Sequence, residues 1–149
     1  MTDLWLAIGH HLAAFGLVAI LAVEFALVRP GITPEEVARL RRLDSIYGSL
    51  AGLILIIGIL RVTHGPKGQE FYTDNPVFWM KMAAFAAVAA LSVQPTIRIY
   101  YWWQQTKGGG FFSAPAEEIA RVRTFLKAQA AVFVTIPGFA AVMARGLEL

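Results

Sequence analysis

The sequence contains no cysteine, and few of its residues are charged. Without cysteine there can be no disulfide bond, no thiolate metal site and no covalently attached c-type haem. Charged residues form 15% of the 149-residue chain and hydrophobic residues 57%, with a mean hydropathy of +0.58. This apolar share lies far above that of soluble domains, so the composition predicts a membrane protein.

The N-terminus lacks the basic segment that opens a secretory signal. Only Asp3 precedes the first apolar run, which continues to Val28. A signal peptide has a positively charged start and a shorter apolar region. We therefore expect this run to be a retained membrane helix.

Four hydrophobic stretches account for most of the chain: 4–28, 43–62, 76–97 and 122–143. Each is near the length of about 20 residues that crosses a hydrocarbon core of about 30 Å. The fold is predicted to be all-α, an integral membrane four-helix bundle in a single transmembrane domain over 1–149. Gly48 and Gly52, four residues apart in the second stretch, favour close packing within the molecule over dimerisation. The oligomeric state is left open.

Basic residues concentrate in two of the three regions between the stretches. These are Arg29, Arg39, Arg41 and Arg42 after the first stretch, and Arg98, Lys107, Arg121 and Arg123 after the third. The positive-inside rule then predicts a bacterial inner-membrane protein with both termini on the non-cytoplasmic side. The aromatic run 100–103 is expected at the cytoplasmic interface and the aromatic cluster 71–79 at the opposite one. No soluble domain carries the basic residues, which argues against nucleic-acid binding.

One segment of seven residues is repeated. Residues 35–41 read EEVARLR and residues 117–123 read EEIARVR, a shift of 82 positions. Two alternatives remain open, a duplication of a two-helix unit or a pattern common to helices that enter a membrane from the cytoplasm. Thr33 and Glu36 flank Pro34 as in a capping box, and Ser113 before Pro115 gives a looser version.

Ionisable residues lie inside two of the stretches at matching depth. His10 and His11 are in the first and Lys81 is in the third. At about 1.5 Å per residue, His11 and Lys81 both lie about 10 Å from the non-cytoplasmic face. Arg61 ends the second stretch at that face. Together these residues predict a basic layer that suits a carboxylate-bearing or other anionic ligand.

A histidine in a bundle core can also bind the metal of a porphyrin. Haem b is then the predicted cofactor, with His11 or His10 as metal ligand and Arg61 and Lys81 as further cofactor-binding residues. Adjacent helical positions point about 100° apart, so only one histidine should face the core. In the structural alternative, the histidine bonds a helix neighbour and Lys81 reaches the surface along its own stem.

A second matched pair lies nearer the cytoplasmic side. Glu24 in the first stretch and Lys127 in the fourth fall at similar depth, with Asp44 and Gln129 nearby. We expect a buried ion pair between Glu24 and Lys127. A proton route along the first span, from Glu24 to His10, is the alternative.

A series of short motifs runs along the chain: Arg42-Leu43-Asp44, Tyr47-Gly48, Gly58-Ile59-Leu60-Arg61, Lys67-Gly68, Phe71-Tyr72, Asn75-Pro76, Phe78, Lys81, Ser92 and Pro95-Thr96. In these motifs the chain resembles, over nearly its whole length, a family of bacterial membrane proteins known as domain of unknown function 2214. The stretch from Phe71 to Lys81 is the most specific part of this resemblance, which implies no activity.

Two further placements carry a more distant resemblance: Trp5 is followed by His10 and His11 in the first span, and Trp79 by Lys81 in the third. They are similar in placement to the early histidine of span one and the early lysine of span three in the HemJ-type protoporphyrinogen oxidases, which are small four-helix membrane proteins. The resemblance implies haem b and action on a porphyrinogen. That family's Asn-Glu-x-Pro motif has no counterpart around 125–132, which puts the oxidase activity in doubt more than porphyrin binding.

Two functions are therefore carried forward. The first is a b-type haem or related porphyrin protein of the membrane, used in electron transfer or as a porphyrinogen-oxidase-like oxidoreductase whose catalytic residues are not identified. The alternative is a cofactor-free protein, either a transporter component or a structural subunit of a membrane complex. In that case the same basic layer binds an anion, a lipid headgroup or a partner. The lipid bilayer is the partner common to both.

Overall fold

The computed structural model describes residues 2–64, 68–108 and 112–145. Four long helices and one short helix fill these ranges: α1 Thr2–Leu27, α2 Pro34–His64, α3 Gln69–Thr73, α4 Pro76–Thr106 and α5 Ala116–Ala144. The four long helices are long and apolar enough to cross a membrane. The prediction of an all-α bundle with four membrane spans is confirmed.

The long helices form two antiparallel hairpins, α1–α2 and α4–α5, which pack side by side through α2 and α4. A weaker contact between α1 and α5 closes the ring, so that α1 and α4 occupy one diagonal and α2 and α5 the other. We call the end that carries the two short hairpin loops the hairpin end. The end that carries both chain termini and α3 is the termini end.

Three of the helices extend beyond the apolar stretches at the hairpin end. α2 begins at Pro34, α4 continues to Thr106 and α5 begins at Ala116. The added turns carry the charged residues that a hydropathy window excludes, so each helix projects past its apolar part. Pro95 and Pro137 both lie inside continuous helices.

The start of α2 is a reciprocal capping box, as predicted. Thr33 Oγ1 accepts the Glu36 N–H (3.3 Å), and Glu36 Oε2 accepts the Thr33 N–H (2.9 Å). Two otherwise unpaired backbone donors are thereby satisfied. The second copy of the repeat differs, because α5 begins after Pro115 without a side-chain cap hydrogen bond.

Buried side chains are concentrated in the half of the bundle nearer the hairpin end. They include Leu17, Leu21, Val28, Val37, Leu40, Ile99, Trp102, Ile119, Val122 and Leu126. The half nearer the termini buries far fewer side chains: Ala13, Ile54, Asn75, Val77, Val88 and Phe133. The packed core therefore lies in the hairpin half.

The predicted packing role of Gly48 and Gly52 is wrong. Both are exposed, and a Cβ added to either would meet nothing within 4 Å. The close approach of α1 to α2 depends instead on Gly16, where a Cβ would lie 3.0 Å from Leu50 Cδ1. Both glycines of the GxxxG pair point away from the neighbouring helices.

The aromatic run at the end of α4 divides between surface and core. Tyr100 and Tyr101 are exposed, as expected of an interfacial belt. Trp102 is only 1% exposed, and its Nε1 donates a 2.9 Å hydrogen bond to Glu118 Oε2 of α5. This tryptophan therefore belongs to the core, where it joins the two helices of one hairpin.

Candidate functional site

The two neighbouring histidines face different surroundings. His11 is exposed, and its Nδ1 donates a hydrogen bond to the Ala7 carbonyl oxygen (2.6 Å). His10 is half-buried and lies against α2, where its Cε1 is 3.8 Å from the position that a Cβ on Gly58 would take. The Nδ1 atom of His10 is buried and has no hydrogen-bond partner. Of the two histidines, His10 is the one turned into the bundle.

Two cations lie near the His10 ring. Arg61 of α2 and Lys81 of α4 are half-buried, and both are close enough for their charges to act on that ring. Within the part of the chain that the structure describes, Lys81 makes no hydrogen bond or ion pair. We keep the name basic layer for His10, Arg61 and Lys81. Three helices therefore bring three of the four predicted site residues together, and His11 lies outside.

These residue types fit a haem or porphyrin. A buried imidazole nitrogen without a partner is a suitable ligand for haem iron, and neighbouring cations suit propionate groups. Across residues 2–64, 68–108 and 112–145, no group of three or more His, Asp or Glu could hold a metal ion. A metal at the basic layer would therefore need to bring most of its own ligands, as a porphyrin does.

A second polar cluster lies in the hairpin half of the bundle, with residues from all four long helices. We call it the polar core cluster, and its members are Glu24, Asp44, Tyr47, Thr96 and Gln129. Thr96 Oγ1 donates a hydrogen bond to Asp44 Oδ1 (2.6 Å), and Gln129 Nε2 donates one to the Tyr47 hydroxyl (2.7 Å). Both bonds cross from one hairpin to the other.

The expected ion pair between Glu24 and Lys127 does not form. Glu24 is 3% exposed and its Oε1 has no partner, whereas Lys127 is on the exposed face of α5. Two residues further along α5, Gln129 is only 1% exposed. Positions two apart on a helix point about 200° apart. Lys127 therefore lies at the depth of Glu24 but points away from it.

Arg123 has a structural role that the sequence did not reveal. Its Nη1 donates to the carbonyl oxygens of Phe25 (3.0 Å) and Val28 (2.5 Å) at the end of α1. These hydrogen bonds satisfy carbonyl groups that a helix end leaves unpaired. Arg123 is the counterpart of Arg41 in the sequence repeat, which is the one signal that could have drawn attention to it.

Comparison with known protein families gives a match over nearly the whole chain. A family model described as "Predicted membrane protein (DUF2214)" matches residues 2–148 of the chain. No curated protein and no solved structure matches it. The match confirms the first resemblance inferred from the sequence, and the resemblance to the HemJ-type oxidases stays a prediction.

Proposed function

This chain belongs to the DUF2214 family of predicted membrane proteins, and we propose that it binds a b-type haem or related porphyrin beside the basic layer. The observation that carries the proposal is the His10 Nδ1 atom, which is buried and lacks a hydrogen-bond partner. A buried polar atom without a partner is costly unless a ligand satisfies it.

In this proposal each residue of the basic layer has a separate role. His10 would hold the porphyrin iron, and Arg61 and Lys81 would neutralise the carboxylates of the porphyrin. Gly58 leaves space beside the imidazole because it carries no side chain. A bound haem would supply one-electron chemistry, so the protein would serve in electron transfer or as a porphyrinogen-oxidase-like oxidoreductase.

We further propose that the hairpin end faces the cytoplasm of a bacterial cell, with both termini on the other side of the inner membrane. The Lys and Arg residues are concentrated at the hairpin end, as the positive-inside rule requires. Alkaline phosphatase fused to the C-terminus should be active in this orientation and green fluorescent protein should not fluoresce. The reverse pattern would contradict it.

The haem proposal is tested by the absorption spectrum of protein purified in detergent from haem-replete cells. Wild-type protein should show a Soret band, and His10→Ala should lose it. The matched control is His11→Ala, which changes the adjacent histidine on the exposed face and should keep the band. Circular dichroism shows whether each variant retains its helices. A colourless wild-type protein, or a Soret band that survives His10→Ala, would refute the proposal.

A cofactor-free protein is the second candidate, and the isolation of Lys81 favours it. A half-buried ammonium group without an acceptor among the described residues suits an anion that arrives from outside the chain. The basic layer would then serve a transporter component or a structural subunit of a complex. If the purified protein is colourless, added sulfate should raise its thermal stability, and Lys81→Met should abolish that rise.

A further inference from the structure

The polar core cluster contains more hydrogen-bond acceptors than donors. Glu24 and Gln129 are 3% and 1% exposed, and each has a buried side-chain oxygen, Oε1, with no hydrogen-bond partner. Glu24 lies close enough to Asp44 for the Asp44 charge to act on it, and close enough to Tyr47 for its own charge to act on that residue. Gln129 in turn is bonded to Tyr47. The unpartnered oxygens therefore belong to one connected group of side chains.

The cations near this cluster are already engaged. Arg41 lies 3.4 Å from Asp44 Oδ2 and also bonds Ser45. Arg123 donates to backbone carbonyl oxygens at the end of α1. Among the described residues, no cation forms an ion pair with Glu24. A carboxylate inside a membrane protein is costly without a positive charge beside it.

The side-chain atoms of the polar core cluster restrict which ion could supply a positive charge beside Glu24. They are carboxylate, amide and hydroxyl oxygens, which suit hard cations rather than soft metals. Multivalent ions are disfavoured because the described residues contain no group of three or more His, Asp or Glu suited to a metal. Within the described part of the chain, the one negative charge in the cluster without a cation beside it is that of the Glu24 carboxylate.

We propose that Glu24, Asp44, Tyr47 and Gln129 form a buried binding site for a monovalent cation, either a proton or an alkali metal ion. Glu24 provides the charge, and the Gln129 amide oxygen provides a neutral ligand. Thr96 holds Asp44 in place through its hydrogen bond. The site lies in the half of the bundle opposite the basic layer and shares no residue with it, so it does not depend on haem binding.

Infrared difference spectroscopy of the detergent-purified protein tests the proposal, because it separates carboxylic acid from carboxylate. In one series pH changes at fixed salt, and in the other Na⁺ replaces choline at fixed pH and ionic strength. A proton at the site gives a carboxylic acid C=O band that persists in the first series above about pH 6, where exposed Asp and Glu side chains are ionised. A bound Na⁺ gives a carboxylate shift in the second. Glu24→Gln should remove the signal, and Gln129→Leu should reduce it.

Lys127→Gln is the matched control, because it removes a charge at similar depth on the exposed face of α5 and should leave the signal unchanged. If Glu24→Gln does not fold, the wild-type protein still decides. A wild-type spectrum with neither a carboxylic acid band above about pH 6 nor a Na⁺-dependent carboxylate shift would overturn the proposal. A signal in either series that is identical in wild type and folded Glu24→Gln would overturn it as well.

Discussion

The two halves of the bundle are built on different principles. The hairpin half fills its centre with large side chains, and hydrogen bonds such as that from Trp102 to Glu118 join its helices. The termini half buries few side chains. It contains the half-buried His10 and Lys81, which have few hydrogen-bond partners among the described residues. The hairpin half is thus the densely packed one, and the termini half is the open one.

This difference implies that the halves contribute unequally to stability. Dense packing makes the loss of a side chain costly, because the cavity it leaves is not refilled. Removing a side chain from an open region lowers the free energy of unfolding by less. The free energy of unfolding should therefore respond to changes in the hairpin half more strongly than to matched changes near the termini.

The largest expected effect comes from two tryptophans, one in each half. Trp102→Ala should lower the free energy of unfolding by about 3–5 kcal/mol, since it empties a buried position. Trp5→Ala should cost far less, because Trp5 is 69% exposed in the termini half. Denaturant titration in mixed micelles measures both. Equal losses would contradict the division of the bundle into a packed and an open half.

An intermediate effect is expected along the contact of α1 with α2. A Cβ at Gly16 would lie 3.0 Å from Leu50 Cδ1, and one at Gly9 would lie 3.5 Å from Ile57 Cδ1, nearer the termini. Gly16→Val should therefore destabilise by about 1–3 kcal/mol through overpacking. Gly9→Val should cost less in the same unfolding assay. If Gly9→Val were the more damaging, packing would be tighter at the termini than described.

The smallest expected effect concerns the two copies of the repeat at the hairpin end. Thr33→Ala should lower the free energy of unfolding by about 1 kcal/mol, because it removes half of a capping box. Ser113→Ala should have little effect, since no side chain caps α5. Thermal unfolding of the two variants tests this. A similar loss in both would show that the second copy is capped as well.

Much of the fold follows from the sequence because the signals for it are local. Hydropathy alone locates the four spans, and the Thr33 and Glu36 pair defines the start of α2 by a short-range bond. The depth of a residue in the membrane can also be predicted from its position in the span, because the rise per residue is constant along a helix. This prediction places a histidine of the first span, Arg61 and Lys81 in one layer, and in the structure both cations lie near His10.

Direction around each helix is what the sequence does not reveal. A membrane helix is apolar on all sides, so no polar face distinguishes inside from outside. For this reason the choice between His10 and His11 stayed open, and the Lys127 ion pair and the Gly48 packing role were wrong. Side-chain direction depends on which helices are neighbours, and that is a property of the assembled bundle.

The Tyr47 bond to Gln129 joins residues that are 82 positions apart, the same spacing as the sequence repeat. If the two hairpins are copies of one unit related by a two-fold axis, equivalent residues can contact each other only near that axis. A bond between equivalent residues therefore favours the duplication over a pattern common to membrane helices. A hairpin without its twin would leave its half of this bond without a partner in lipid, where an unpaired polar group is costly. The bond therefore ties the two hairpins to each other and favours their assembly into one bundle.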